Sequence, residues 1–374
     1  MTMFKLFNQH KQSGIFCGAM KSVNFHFSKL IDPTYQHLVG LNTGNLVIGD
    51  FARKPFRCIT QTESFLPFKI DKNLDFINSQ THGIVIFAAN WIAHYMKSDF
   101  SEFNKLLKQI TVPVTIIGLG SHTPKEEFSA KDFVSELNPT LIEFLQIVSE
   151  KNASISVRGK TTEKLLHEIG IYNVDVTGCP TWYVNGKNDL QIKKKIITRN
   201  SNILFHADPE KRDVYRILFE LFKEYKNKKL LIQSEFDLLP FLTKKNISDY
   251  NNNYRLDCNY IKNQDFGVCF TNTDIWKQYI QKKVDISFGL RIHGTIITLK
   301  SGKPAILITH DGRTKEMAEL FHIPHIDVDD LYQDNFCFEK VYENADFSEM
   351  HKAYPELFKN YKNFLQKNNI PFNF

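Results

Sequence analysis

Short apolar runs rich in Val and Ile recur along the first half of the chain, each separated from the next by a stretch of helical periodicity. Gly83-Ile84-Val85-Ile86-Phe87, Val112-Pro113-Val114-Thr115-Ile116-Ile117 and Ser154-Ile155-Ser156-Val157 are too continuously apolar for strands with one wet face. They suit strands buried on both sides, in a mainly parallel sheet covered by helices such as Phe100 to Ile110 and Pro139 to Glu150. A turn-rich, then Lys-rich segment from Gly186 to Lys195 interrupts the rhythm, which restarts with a strand at Asn202-Ile203-Leu204-Phe205. An amphipathic helix over Asp213 to Tyr225 follows, then strands at Lys229 to Gln233, Val284 to Phe288 and Pro304 to Ile308, with a helix between the last two. The expectation is an α/β fold of two domains joined near residue 190, with ligands bound where the carboxyl ends of the strands face the cleft between them.

Length and composition agree. A chain of 374 residues is too long for one small core, and its 42% hydrophobic and 24% charged residues exclude disordered and fibrous classes. The net charge of +6 is spread along the chain, and its densest runs, Lys193 to Lys195 and Lys226 to Lys229, read as solvated faces. No nucleic-acid partner is expected, because no basic arm is concentrated enough to track a phosphate backbone. A phosphorylated, carboxylated or membrane-surface substrate would suit the excess. The six cysteines form no C-x-x-C pair and no zinc spacing, so reduced thiols and no metal are expected. The first residues lack the apolar core of a secretory signal, and the longest apolar stretch, Ile84 to Ala93, is half the ~20 residues that a spanning helix needs. A cytoplasmic protein is expected, with contact at the inner face of the membrane left open.

The chemistry-bearing residues cluster in loops after strands. In Phe288-Gly289-Leu290-Arg291-Ile292-His293-Gly294 a strand runs into a helix, so Arg291, His293 and the backbone of Gly294 would sit where helix N–H groups attract anions. Arginine binds carboxylate or phosphate with a two-pronged fork, and a neighbouring histidine can move a proton; a satisfied core pair is the competing explanation. Ser156-Val157-Arg158-Gly159-Lys160-Thr161-Thr162 repeats the arrangement. Thr161 and Thr162 read as caps, whereas a basic Arg158 at a helix start opposes the helix dipole unless an anion lies between them.

Asn42, Gly44 and Asn45 could expose N–H groups to a ligand, and a plain N-cap by Asn45 explains the turn equally well. Gly120 and Ser121 follow a strong strand and lead to His122, a candidate proton donor. His310 and Arg313 would face the same cleft as Arg291, beside Asp311 and Thr314, which read as helix caps, and His206 ends the first strand of the second half. Cys179 reads as a small buried residue. No Ser-His-Asp signature, Walker loop or G-x-G-x-x-G fingerprint occurs.

Taken together, NTGN at 42–45, GLGS at 118–121, SVRGKTT at 156–162, VDVTGCPT at 174–181, FGLRIHGTI at 288–296 and GKPAILITHDGRTKEMA at 302–318 resemble the polysaccharide pyruvyltransferase family, in the family's order. The resemblance implies a GT-B-like architecture of two Rossmann-like domains around a central cleft. Residues 1–190 would form the acceptor side, 191–345 the donor side, and 346–374 a helical tail across both. It implies transfer of a pyruvyl group from phosphoenolpyruvate, as donor substrate and with no cofactor, onto a sugar of a cell-surface polysaccharide precursor, free or lipid-linked, forming a ketal. Arg158, Arg291 and His293 would contact the donor, with His122 matching an active-site histidine and either histidine the proton donor. Two rivals stand beside this: a glycosyltransferase of the same architecture using a nucleotide sugar, and a non-catalytic glycan- or anion-binding relative.

Overall fold

The computed structural model describes residues 5–7, 16–17, 42–56, 74–186, 191–208, 211–234 and 267–374. Lys5–Phe7 (β1) and Phe16–Cys17 (β2) are strands, Gly44–Arg53 (α1) and Leu74–Gln80 (α2) are helices, and Gly83–Phe87 (β3) is the apolar run that opens the alternation. Asn90–Ile92 (β4), Ser101–Gln109 (α3), Val114–Ile117 (β5), Gly120–Ser121 (β6), Ala130–Ser135 (α4), Pro139–Glu150 (α5), Ile155–Val157 (β7), Lys160–Glu168 (α6) and Val174–Val176 (β8) complete the first half. β3 runs parallel to β2 and β5 and antiparallel to β1, β4 pairs with β6, and β7 with β8, both in parallel. Every residue of β3 and β5 is buried, as their unbroken apolarity requires. The helix over Pro139–Glu150 has the expected bounds because Asn138 caps it and Pro139 stands in its first turn, where the missing N–H costs nothing.

The second half is a six-stranded, wholly parallel sheet. Asn202–His206 (β9), Arg212–Leu221 (α7), Asn227–Ile232 (β10), Gly267–Cys269 (β11), Thr273–Lys283 (α8), Ile286–Gly289 (β12), Ile292–Lys300 (α9), Ala305–Thr309 (β13), Gly312–Phe321 (α10) and His325–Asp327 (β14) follow in chain order. The strands lie in the order β11-β10-β9-β12-β13-β14. This order reverses direction between β9 and β12, and in doubly wound sheets ligands bind in the crevice at that switch point. His206 ends β9, and Arg291 follows β12, on opposite sides of it.

Phe338–Asn344 (α11) leads to the long C-terminal helix Ser348–Lys367 (α12), which begins six residues before the periodic stretch that starts at Tyr354. α12 buries Tyr354, Phe358, Tyr361 and Phe364. It belongs to an apolar core that mixes residues from β3 and β5 with residues of α9, α10 and the Pro180–Tyr183 turn, so one core joins elements of both halves. Asn368, just past α12, accepts from the N–H groups of Ala153 and Ser154. The crossing expected near residue 190 falls on 187–190, outside the described residues, as do the side chains of Cys17, Cys58 and Cys258.

Two cap assignments are corrected. Asn45 does not cap α1: Thr43 precedes the helix, and the side chain of Asn42 accepts from the Gly44 N–H, because Asn45 already lies inside the first turn. Thr161 and Thr162 do not cap α6; Gly159 holds that position, and the Thr162 N–H turns to another residue, described below. Asp311 and Thr314 do form a reciprocal capping box on α10.

Candidate functional site

The carboxyl ends of β5, β6 and β7 meet the starts of α9 and α10. Gly312 N–H donates to Thr123 O, which seats the β6 loop directly on the first turn of α10. This contact brings His122 to Asp311: Nε2 lies 3.7 Å from the Oδ2 that Arg313 also holds, at 3.0 Å. His310 approaches the same Oδ2 at 3.7 Å. Burial would raise the Asp311 carboxyl, but Arg313, His310 and the Thr314 hydrogen bonds outweigh it and hold the group below the usual carboxylate range. Two histidines and an arginine therefore surround one ionised carboxylate, with His122 the exposed member and His310 almost buried.

Arg158 is 2% exposed although it carries a full charge. Its Nε donates to Gly118 O at 2.9 Å, Nη1 to Asn90 Oδ1 at 3.1 Å and Nη2 to Ala88 O at 3.3 Å, tying together the chain beyond β3 and β5. Gly120 makes room for it, since a Cβ there would lie 2.8 Å from Arg158 Cδ. The start of α6 also receives a carboxyl group from elsewhere in the chain. Glu316, on α10, accepts from Thr162 N at 3.2 Å and Thr162 Oγ1 at 3.0 Å, and Ser121 Oγ lies 3.1 Å from the same hydroxyl. Burial pushes the Glu316 carboxyl up to about 7, against the pull of the Thr162 and Thr161 hydrogen bonds and of Arg158.

His293 stands in the first turn of α9 with Nε2 3.9 Å from Cys179 Sγ. Burial pushes it well below its ordinary value, and the guanidinium groups of Arg158 and Arg313 push in the same direction, so the resting imidazole is neutral. Gly44 abuts it, because a Cβ on Gly44 would come within 3.3 Å of His293 Cβ. Thus His122, Arg158, His293, His310 and Arg313, with Gly120, Ser121 and the 42–45 turn, converge.

Arg291 and His206 form a separate pair at the switch point. Arg291 Nε donates to Ala207 O at 3.0 Å, and Nη1 lies 3.2 Å from Asp208 Oδ2. His206 is fully buried; its Nδ1 accepts from Arg291 N at 3.0 Å, which leaves Nε2 to donate to Ser287 Oγ at 3.1 Å. Burial, then Arg291, depresses it to about 3. Both ring nitrogens of His206 are thus engaged within the sheet, where it fixes the backbone of Arg291. A Cβ on Gly294 would meet Gln233 Oε1 at 2.8 Å, so this glycine packs against the end of β10.

Three contributors escape a sequence reading. Asp311 reads as a cap and is one, yet its second oxygen also pairs with Arg313 and faces His122 and His310. Glu316 lies in an amphipathic helix with nothing to mark it as buried. Asn90 opens the short strand β4, and only the approach of β7 gives it Arg158 as a donor. No group of three metal-ligating side chains is found among the described residues.

A model of the family described as polysaccharide pyruvyl transferase matches residues 49–312. The chain belongs to that family. Arg158, His122, His206, Arg291, His293 and His310 lie inside the matched range, and Arg313 and Glu316 just beyond it. No curated protein matches the chain in sequence. Among solved structures the chain is similar to S. aureus MnaA in complex with UDP, at 11% identity over 89% of this chain and 82% of that one, with a TM-score of 0.40. It is also similar to the wall teichoic acid polymerase TagF, at 10% identity over 69% of this chain and 64% of that one, with a TM-score of 0.28. No helix among the described residues is long and apolar enough to cross a membrane.

Proposed function

We propose that the protein transfers a pyruvyl group from phosphoenolpyruvate onto two hydroxyl groups of a sugar in a polysaccharide precursor, closing a ketal and releasing phosphate. The observation that carries this reading is the neutral His293 under the influence of Arg158 and Arg313, with His122 facing Asp311 beside them. Phosphoenolpyruvate carries a carboxylate and a phosphate and calls for more than one guanidinium. A proton must reach C3 of the enol, after which C2 accepts a sugar hydroxyl, phosphate leaves, and the second hydroxyl closes the ring. His122, partly exposed and facing a carboxylate, suits the donor of that proton. Once it has given that proton, His122 can take one back from the attacking hydroxyl, while the neutral His293 suits a hydrogen-bond acceptor that orients that hydroxyl. Arg313 stabilises the charge gathering on the departing phosphate. Membership of the family supports the reading, and with it we propose a GT-B-like pair of domains, residues 1–190 and 191–345, with 346–374 as a helical tail across both.

The test is the thermal stability of the wild type and Arg313→Ala with phosphoenolpyruvate, phosphate, CMP, UDP and GDP, followed by phosphate release with sugar acceptors. A ligand at 100 times its dissociation constant adds about 2.7 kcal/mol. Stabilisation by phosphoenolpyruvate, lost in the variant, is the expected result. Stabilisation by a nucleotide with none from phosphoenolpyruvate would replace this reading with nucleotide-sugar transfer, and no release of phosphate with any acceptor would favour a binding protein.

A further inference from the structure

All six strands of the β9–β14 sheet run the same way, so the candidate site crowds one end of the sheet and leaves the opposite rim unused. That rim is strongly basic. A cavity of about 400 Å³ opens there, lined by Lys226, Lys228, Lys229 and Lys283 together with Asn202 and Tyr279, and no carboxylate is among its described lining residues. Lys228 is braced by the carbonyls of Lys223 and Tyr225 in the turn after α7, at 3.0 and 3.1 Å, which holds its charge at the cavity wall. Lysines near helix carboxyl termini are ordinary. Four of them around one concave space, however, concentrate charge far beyond what two helix ends can use.

A second cavity of about 330 Å³, lined in part by Lys194, Lys195 and Ile196, lies next to the first. The two are bridged by Asp285, which pairs with Lys195 at 3.3 Å and accepts from Asn202 N at 3.0 Å. The acidic neighbours are largely spent internally: Asp285 in this way, and Glu339 on Arg199 and Tyr225, leaving Glu343 in the second cavity wall. Directly after the exposed Lys193 to Lys195 run, on the wall of the second cavity, stands Ile196, 91% exposed, while its neighbour Ile197 packs against the core. Ile196 thus joins an apolar tip to three exposed ammonium groups. This is what an interfacial anchor requires, with an apolar tip to enter the headgroup boundary and ammonium groups to meet anionic lipid.

We infer that the amino-terminal rim of the β9–β14 sheet, with Lys226, Lys283 and Ile196 at its centre, is a docking face for an anionic bilayer surface. Lipid phosphate enters the lysine-lined cavity and Ile196 enters the headgroup layer. Strands of this length place the two rims about 15 Å apart, so docking turns the candidate site towards the aqueous phase. The inference does not depend on the reaction proposed above.

Co-sedimentation of the full chain with vesicles tests it, using phosphatidylcholine alone and phosphatidylcholine with a third phosphatidylglycerol. Each lysine near an anionic surface multiplies partitioning by about fivefold. The wild type is expected to bind the anionic vesicles, to bind plain ones far less, and to be released by 0.5 M salt, roughly a 4 Å screening length. The double variant Lys226→Glu, Lys283→Glu should lose partitioning by about 25-fold or more, and Ile196→Asp by several-fold, with melting temperatures unchanged because all three side chains are exposed. Equal binding to both vesicles, no binding to either, or wild-type binding by both variants would overturn the proposal. If glycerophosphoglycerol alone protects the protein from heat and Ile196→Asp has no effect, the cavity takes a soluble phosphate compound and the membrane assignment fails.

Discussion

Glu316 of α10 and Thr162 of α6 are joined twice, through the backbone N–H and the hydroxyl of the threonine, so that a buried carboxylate from the second half of the chain sits on the helix start that follows Arg158. A carboxylate there complements the dipole of α6, yet its burial costs more than those two bonds return, and its pKa rises to about 7. A group whose folded pKa exceeds its unfolded value adds stability below the unfolded value and loses it as pH rises through the folded one. Between about pH 4.5 and 7 the wild type should therefore lose about 3 kcal/mol from this residue. Glu316→Gln has no such slope, so the melting temperature of the wild type should fall relative to the variant as pH rises across that window. Parallel curves would remove Glu316 as the cause.

Gly159 has no room for a side chain, since a Cβ there would lie 1.9 Å from Glu316 Cγ. Its backbone is extended, so the constraint is contact and not strain. Gly159→Ala should destabilise by about 3 kcal/mol. In the background of Glu316→Ala the same change should cost under about 1 kcal/mol, and chemical denaturation of the four proteins in this cycle measures the coupling.

His206 resists protonation in the fold, and its depressed value reverses the sign of the Glu316 case. The unfolded chain binds the proton first, so stability should fall as pH drops from about 6.5 towards 3, by up to about 5 kcal/mol. His206→Gln should flatten this acid limb in denaturant titrations while lowering stability at pH 7. An unchanged acid limb would show that the imidazole is charged in the folded state.

Lys300 is buried with Nζ 4.0 Å from the centre of the Trp182 ring and 4.3 Å from that of Tyr354. The aromatic faces offset part of the desolvation, which still pushes the ammonium well below its ordinary value. Stability should rise as pH climbs from neutral towards the ordinary lysine range. Lys300→Met should be more stable than the wild type by about 1 kcal/mol at pH 7, with the gap closing near pH 10. A less stable variant at pH 7 would mean that the ring contacts outweigh burial.

Asp311 lies within 3.7 Å of His122 and of His310 and pairs with Arg313. Asp311→Asn keeps an oxygen for the Thr314 N–H but loses the charge that Arg313 and the cap favour, so it should lower the melting temperature at pH 7. On the proposed reaction, kcat should fall about 10- to 100-fold and the limb of the pH–rate profile that reports the acid should move to lower pH. A change confined to KM would assign Asp311 to binding instead.

Much of this was legible in the residues. Continuous apolar runs announce strands buried on both faces, because no other regular element hides consecutive side chains over so short a length. The loops carrying Arg158, His122, Arg291, His293, His310 and Arg313 were readable for the same reason: anion chemistry needs these residue types at strand ends and helix starts. What the local sequence could not carry was partnership. Glu316 and Thr162 are 154 residues apart, and Lys300 reaches Tyr354 only through the packing of α12.

The sequence alone thus determined the parallel α/β alternation, the family and the set of polar side chains at the strand ends, since each depends on period and residue type within a short window. Tertiary structure decided which of those side chains share charge. It drew His122, His310 and Arg313 around Asp311, committed both nitrogens of His206 to hydrogen bonds, and placed Glu316 on the start of α6. Electrostatic coupling and desolvation depend on distance in space and on what excludes water, and both are set only when the two sheets and the C-terminal helix pack together.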